Sequence, residues 1–164
     1  MQTSPRTQRI LEHLEDVWQH QKPLPADAMK HITEYVDSLP EEYQTLGLRE
    51  IANDVVSSMH MHMLWLIDTF QRNAESEGIN ARSRAETLVK IQSETFAVME
   101  KVQKLLVVRS LDDLAALVNI TTSLQMLSWT DLAEDAHGWL YEMPSLYYNR
   151  LVKVGLVDGA ETLQ

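Results

Sequence analysis

Between Leu48 and Phe70 the apolar residues return at steps of three, one or four: Leu48, Ile51, Ala52, Val55, Val56, Met59, Met63, Leu66, Ile67 and Phe70. That is the 3.6-residue period of an α-helix. A strand alternates its faces every second residue, so this stretch has no place for one. The same rhythm recurs on both sides. Ile10, Leu11, Leu14, Val17 and Trp18 form one stripe behind Ser4-Pro5, a cap residue followed by the residue best tolerated in a first helical turn. Met29, Ile32 and Val36 form another, with Pro40 just beyond it. Leu88, Ile91, Thr95, Val98, Val102 and Leu105 step 3-4-3-4-3, a seam suited to bundle packing. Leu117, Ile120, Leu124 and Leu127 repeat that step.

Glycine and proline punctuate this pattern. The prolines are 5, 23, 25, 40 and 144, and the glycines 47, 78, 138, 155 and 159. Read as turns, they place a long helix from Gly47 to Gly78 and another from about Asn80 to Val108. Ser110 with Asp113 resembles a capping box, Asp replacing Glu, and opens a further helix. Gly138 is expected to break that helix, and Pro144-Ser145 to start a short last one through Leu146, Leu151 and Val154. The expected fold is an all-α, antiparallel bundle of about six helices, two or three of them long. It forms a single domain over 1–164, with 157–164 a frayed tail.

Composition narrows the function. The 164 residues include no cysteine, which excludes disulfide scaffolds, thiolate metal sites and cysteine nucleophiles. Twenty-four acidic against fourteen basic residues leave a net charge of −10, which disfavours phosphate binding to nucleic acid. The longest apolar run, Met63–Ile67, is far short of the ~20 residues of a membrane span, and the N-terminal residues hold no apolar signal core. A cytoplasmic location is the expectation. No Walker loop, Gly-x-Ser-x-Gly elbow, Gly-x-Gly-x-x-Gly or His-Glu-x-x-His is present, so no catalytic residue and no cofactor site is assigned.

Met59-His-Met-His-Met63 is the most unusual string. Thioethers and imidazoles are copper(I) ligands, but residues two apart project about 200° apart on a helix, so His60 and His62 diverge. Met59 and Met63 lie on the core stripe. His13 with Asp16 and His31 with Glu34 are spaced three apart in the reverse order of a di-iron motif, and their acids lie on polar faces. A metal-binding enzyme or sensor drawing on His13, His31, His60 or His62 is therefore an alternative, and no metal site is assigned. His137 beside Gly138 reads as a helix-end residue.

Beside the main stripe, Met61, Leu64 and Trp65 make a second apolar row. A helix apolar on all sides must be covered on all sides. This row is the expected partner-binding surface, for a homodimer or another protein. Residues 82–109 carry six bases against three acids, and 131–142 carry four acids and no base. Compensated helix faces are the simplest reading. Trp129, Trp139, Tyr141, Tyr147 and Tyr148 cluster within twenty residues and suit closure of one bundle end.

From Asn80 to Ala136 a helix, then Arg109-Ser-Leu-Asp-Asp-Leu-Ala-Ala-Leu117, then a second amphipathic helix resemble the phasins, which coat polyhydroxyalkanoate granules. Leu111 stands where that family typically has proline. Two further helices precede the region, and four tryptophans depart from the family pattern. The resemblance implies a non-enzymatic binder of an apolar granule surface. The first expectation remains a non-catalytic helical protein acting by protein contact or self-association.

Overall fold

A computed structural model describes Glu12 and residues 26–76 and 80–158, with side chains outside 26–29, 73–76, 81, 84 and 127–141. Apart from Glu12, the Ser4–Trp18 stretch lies outside these residues, as do the His13–Asp16 pair and the Gly78 turn. So do the side chains of Trp129, His137, Trp139 and Tyr141.

Four helices are described, α1 Ala26–Ser38, α2 Glu41–Ser76, α3 Ala81–Leu105 and α4 Leu111–Lys153, and no strand is present among the described residues. The first stop is set by proline. Leu39-Pro40 cannot continue α1, and Glu41 and Glu42 then occupy the first turn of α2, where acids complement the helix dipole. Gly47, expected as the turn before that helix, lies inside it and is buried. Its nearest neighbour is the end of the flexible Leu39 side chain. A Cβ added there would stand 2.5 Å from Leu39 Cδ1.

Side-chain caps open the next two helices. Asn80 Oδ1 accepts from the N–H groups of Arg82 at 2.9 Å and Ser83 at 3.4 Å. Ser110 Oγ accepts from Asp113 N–H at 3.2 Å, while the Asp113 carboxylate reaches back to Arg109 N–H at 2.9 Å. The capping box is thus formed, displaced by one residue. The helix before it ends at Leu105 rather than near Val108, because Leu106 turns extended and bridges Val157. Val107 N–H donates to Leu156 C=O at 2.7 Å, and Asp158 N–H to Leu105 C=O at 2.9 Å. Val157, the first residue assigned to the tail, is buried beside Leu156 and belongs to the core. Residues 159–164 lie outside the description.

The break expected at Gly138 and the separate helix expected from Pro144 are replaced by one helical stretch that includes Pro144. That stretch is not a rod. Thr121 and Tyr147 would stand about 39 Å apart along a straight helix, yet their hydroxyls are 2.8 Å apart. The clip between 105–107 and 156–158 also brings the two ends of α4 together. The chain therefore reverses between Thr121 and Tyr147, which leaves an arm of α4 on either side of that contact.

One core results. Ala52, Val56, Met59, Met63 and Leu66 of α2 meet Ile91, Met99 and Val102 of α3 and residues of both α4 arms, all essentially sealed from solvent. The α2 stripe is buried as its period requires, with Ile51, Val55 and Phe70 partly covered at its edges. Tyr147 and Tyr148 are fully buried. Burial pushes the Tyr147 phenol far above its ordinary range, opposed by its bond to Thr121. Among the described residues, no helix is long and apolar enough to cross a membrane.

Candidate functional site

The second apolar row of α2 divides. Leu64 is half-buried and packs against the core, whereas Met61 is 66% exposed and Trp65 38% exposed. Helical geometry explains the division. Met59, Met63 and Leu66 aim inward, so Met61 and Trp65 fall on the opposite side and Leu64 on the flank.

That flank meets α3. The His60 ring stands edge-on to Phe96, with centroids 5.0 Å apart and planes at 83°. Phe96 is itself 57% exposed, and Val89, one heptad earlier on the same face of α3, is 63% exposed. Met61 on α2 and Val89 and Phe96 on α3 thus stay exposed, with the His60–Phe96 ring contact joining the two helices. Val89 and Phe96 carry a signal missed in the sequence. They repeat at seven residues, like a seam position, but lie off the stripe defined by Leu88 to Leu105.

The two histidines of the Met-His string separate as expected. His60 faces Phe96, and His62 lies against Trp65 at 5.7 Å. Burial lowers the pKa of both imidazoles. His60 Nε2 is sealed from solvent without a hydrogen-bond partner. Among the described residues no three His, Asp or Glu side chains converge on a point. His31 does not engage Glu34 in an ion pair among those described; Glu34 stands 4.0 Å from Lys30 instead.

Charges around the seam are locally paired. Arg72 reaches Asp68 at 2.8 Å, Arg82 reaches Glu86 at 3.3 Å and Lys104 reaches Glu100 at 3.0 Å. Each pair is an exposed i,i+4 contact of small energetic weight. Lys101 sits over the Tyr148 ring at 5.1 Å. The basic character of α3 is thereby offset within the helix and by a neighbouring aromatic face. On the other flank of α2, Gln125 Nε2 donates to Ser58 Oγ at 3.1 Å, tying it to the first arm of α4. The arrangement offers apolar contact with a polar rim.

No protein-family model matches this chain, and comparison with characterised proteins and with solved structures finds no similar sequence or fold.

Proposed function

We propose that this chain is a non-catalytic, antiparallel helical bundle that acts by association, with a second copy or another protein, through the outer face of α2. The observation that carries this reading is the exposure of Met61 and Trp65 on the side of α2 turned away from the core. Fully burying an exposed apolar side chain gains roughly 1.5–3 kcal/mol, of which Met61 has the larger part still to gain and Trp65 the smaller. Phe96 and Val89 extend the surface, and the ion pairs at its border supply a polar rim of the kind that orients a partner.

Met61→Glu tests this directly. Met61 makes little of the core, so the variant should keep its helical circular dichroism. Light scattering should show dimer dissociating to monomer, or loss of the partner, because an unpaired charge would sit in the contact. A variant that assembles like the wild type would remove this face from the interface. Leu64→Glu is the poorer probe, since Leu64 also supports the core.

A granule-coating role resembling that of the phasins draws support from one observation. Val89, Phe96 and the 67%-exposed Met126 all lie within 80–136, the region of resemblance. Co-sedimentation with polyhydroxyalkanoate granules, weakened by Phe96→Glu, is the outcome this second reading requires.

A further inference from the structure

The corner between α1 and α2 concentrates the chain's acidity. Residues 34–54 hold six acids, Glu34, Asp37, Glu41, Glu42, Glu50 and Asp54, against the single base Arg49, which is half of the net charge of −10. The same corner exposes apolar side chains. Tyr35, Tyr43 and Leu46 are each about half open to solvent. They form one patch. The Tyr35 ring meets α2 at Gly47, with Cε1 3.8 Å from where a Cβ on that glycine would stand. Tyr43 lies one helical turn before Gly47 on the same side, and Leu46 adjoins it. Hydrogen bonds fix the corner that carries them. Leu39 N–H donates to Val36 C=O at 3.1 Å, Tyr43 N–H to Pro40 C=O at 2.8 Å, and Gln44 Nε2 to Leu39 C=O at 3.3 Å.

Carboxylates flank the patch on α2. Glu42 and Glu50 each stand one turn from Leu46, and Glu50 with Asp54 is a like-charged i,i+4 pair of the kind that weakens a helix. None of the ion pairs among the described residues engages Glu42, Glu50 or Asp54. We propose that this corner docks an arginine-rich segment of a partner protein. Charge and ring chemistry together select that occupant. The sign of the charge disfavours nucleic acid and anionic lipid. Guanidinium groups suit both features of the patch, since they bind carboxylates through paired N–H donors and stack on aromatic faces. The lysine ammonium is a strongly hydrated point charge and gains less from a ring. A bound guanidinium also relieves the repulsion between Glu50 and Asp54. Met61 lies about 27 Å further along α2 than Tyr43, so this surface stands apart from the one formed by Met61 and Trp65.

Two labelled peptides of equal length, oligoarginine and oligolysine, titrated into the full-length protein at physiological salt and read by fluorescence anisotropy, test the assignment. Oligoarginine should bind several-fold more tightly. Tyr35→Leu/Tyr43→Leu keeps apolar bulk and removes both ring faces, so it should bring the two affinities together. Should that variant lose its helical circular dichroism, Tyr43→Leu alone, at the more exposed ring, should narrow the gap. Glu50→Gln/Asp54→Asn should weaken both peptides several-fold. Glu94→Gln/Glu100→Gln removes the same charge from exposed positions of α3 and should change neither affinity by a comparable amount. Equal affinity of the unsubstituted protein for the two peptides would overturn the proposal, as would an arginine preference that survives loss of the rings. Equal weakening by the two carboxylate variants would reduce binding to net charge alone and overturn it as well.

Discussion

Three properties of His60 disfavour its protonated form in the folded chain. Its ring packs edge-on against Phe96, its Nε2 is sealed without a partner, and burial lowers its pKa below 6.5. The unfolded chain therefore binds a proton more readily than the folded one. Its contribution to stability is complete above pH 6.5 and declines as pH falls through that value towards the lower folded pKa. His62 acts in the same direction. His60→Phe keeps an aromatic edge against Phe96 and removes one titration, so its urea midpoint should fall less than that of the wild type between about pH 7.5 and 5.5. Equal losses in the two proteins would show that His60 does not couple to folding. At the same scale, Met61, Leu64 and Trp65 show how three positions on one helix divide a row that sequence spacing treats as a unit.

At the level of elements, the starts of α3 and α4 are fixed by single side chains, and α2 begins where Pro40 has stopped α1. Ser110→Ala removes the acceptor for Asp113 N–H, so it should cost about 1 kcal/mol and lower the melting temperature by about 2–4 °C. No shift in thermal unfolding would mean that the Asp113 contact to Arg109 carries the cap alone. Helix type and core stripe were legible because both depend on local periodicity, and the residues from Leu48 to Ile67 lie as that periodicity demands. The cap at Ser110 was legible for the same reason. Gly47 was not. A glycine in a turn and a glycine inside a helix look alike in one dimension, and the helix that Glu41 and Glu42 open runs straight through it. The end of α3 depends on the distant Val157, which no local signal announces. The α2 half of the candidate site was foreseen as surplus apolar surface, while its α3 half needed the neighbouring helix face to be known.

For the whole molecule, the governing feature is that one core uses both arms of α4 while the outer side of α2 and α3 keeps apolar side chains in view. Met61, Trp65, Val89 and Phe96 are the exposed side chains that the proposed association would cover. Methionine oxidation tests the proposed contact without any substitution, since exposed thioethers react with peroxide and covered ones do so slowly. Met61 and Met126 are almost equally exposed in the single chain, at 66% and 67%, whereas Met59, Met63, Met99 and Met143 are buried. Brief peroxide treatment at dilute and high protein concentration, read by peptide mass spectrometry, compares the two exposed positions directly. Association through the α2 face predicts that Met61 oxidation slows as concentration rises while Met126 keeps its rate. Equal, concentration-independent oxidation of Met61 and Met126, in a sample that light scattering shows to be associated, would contradict it.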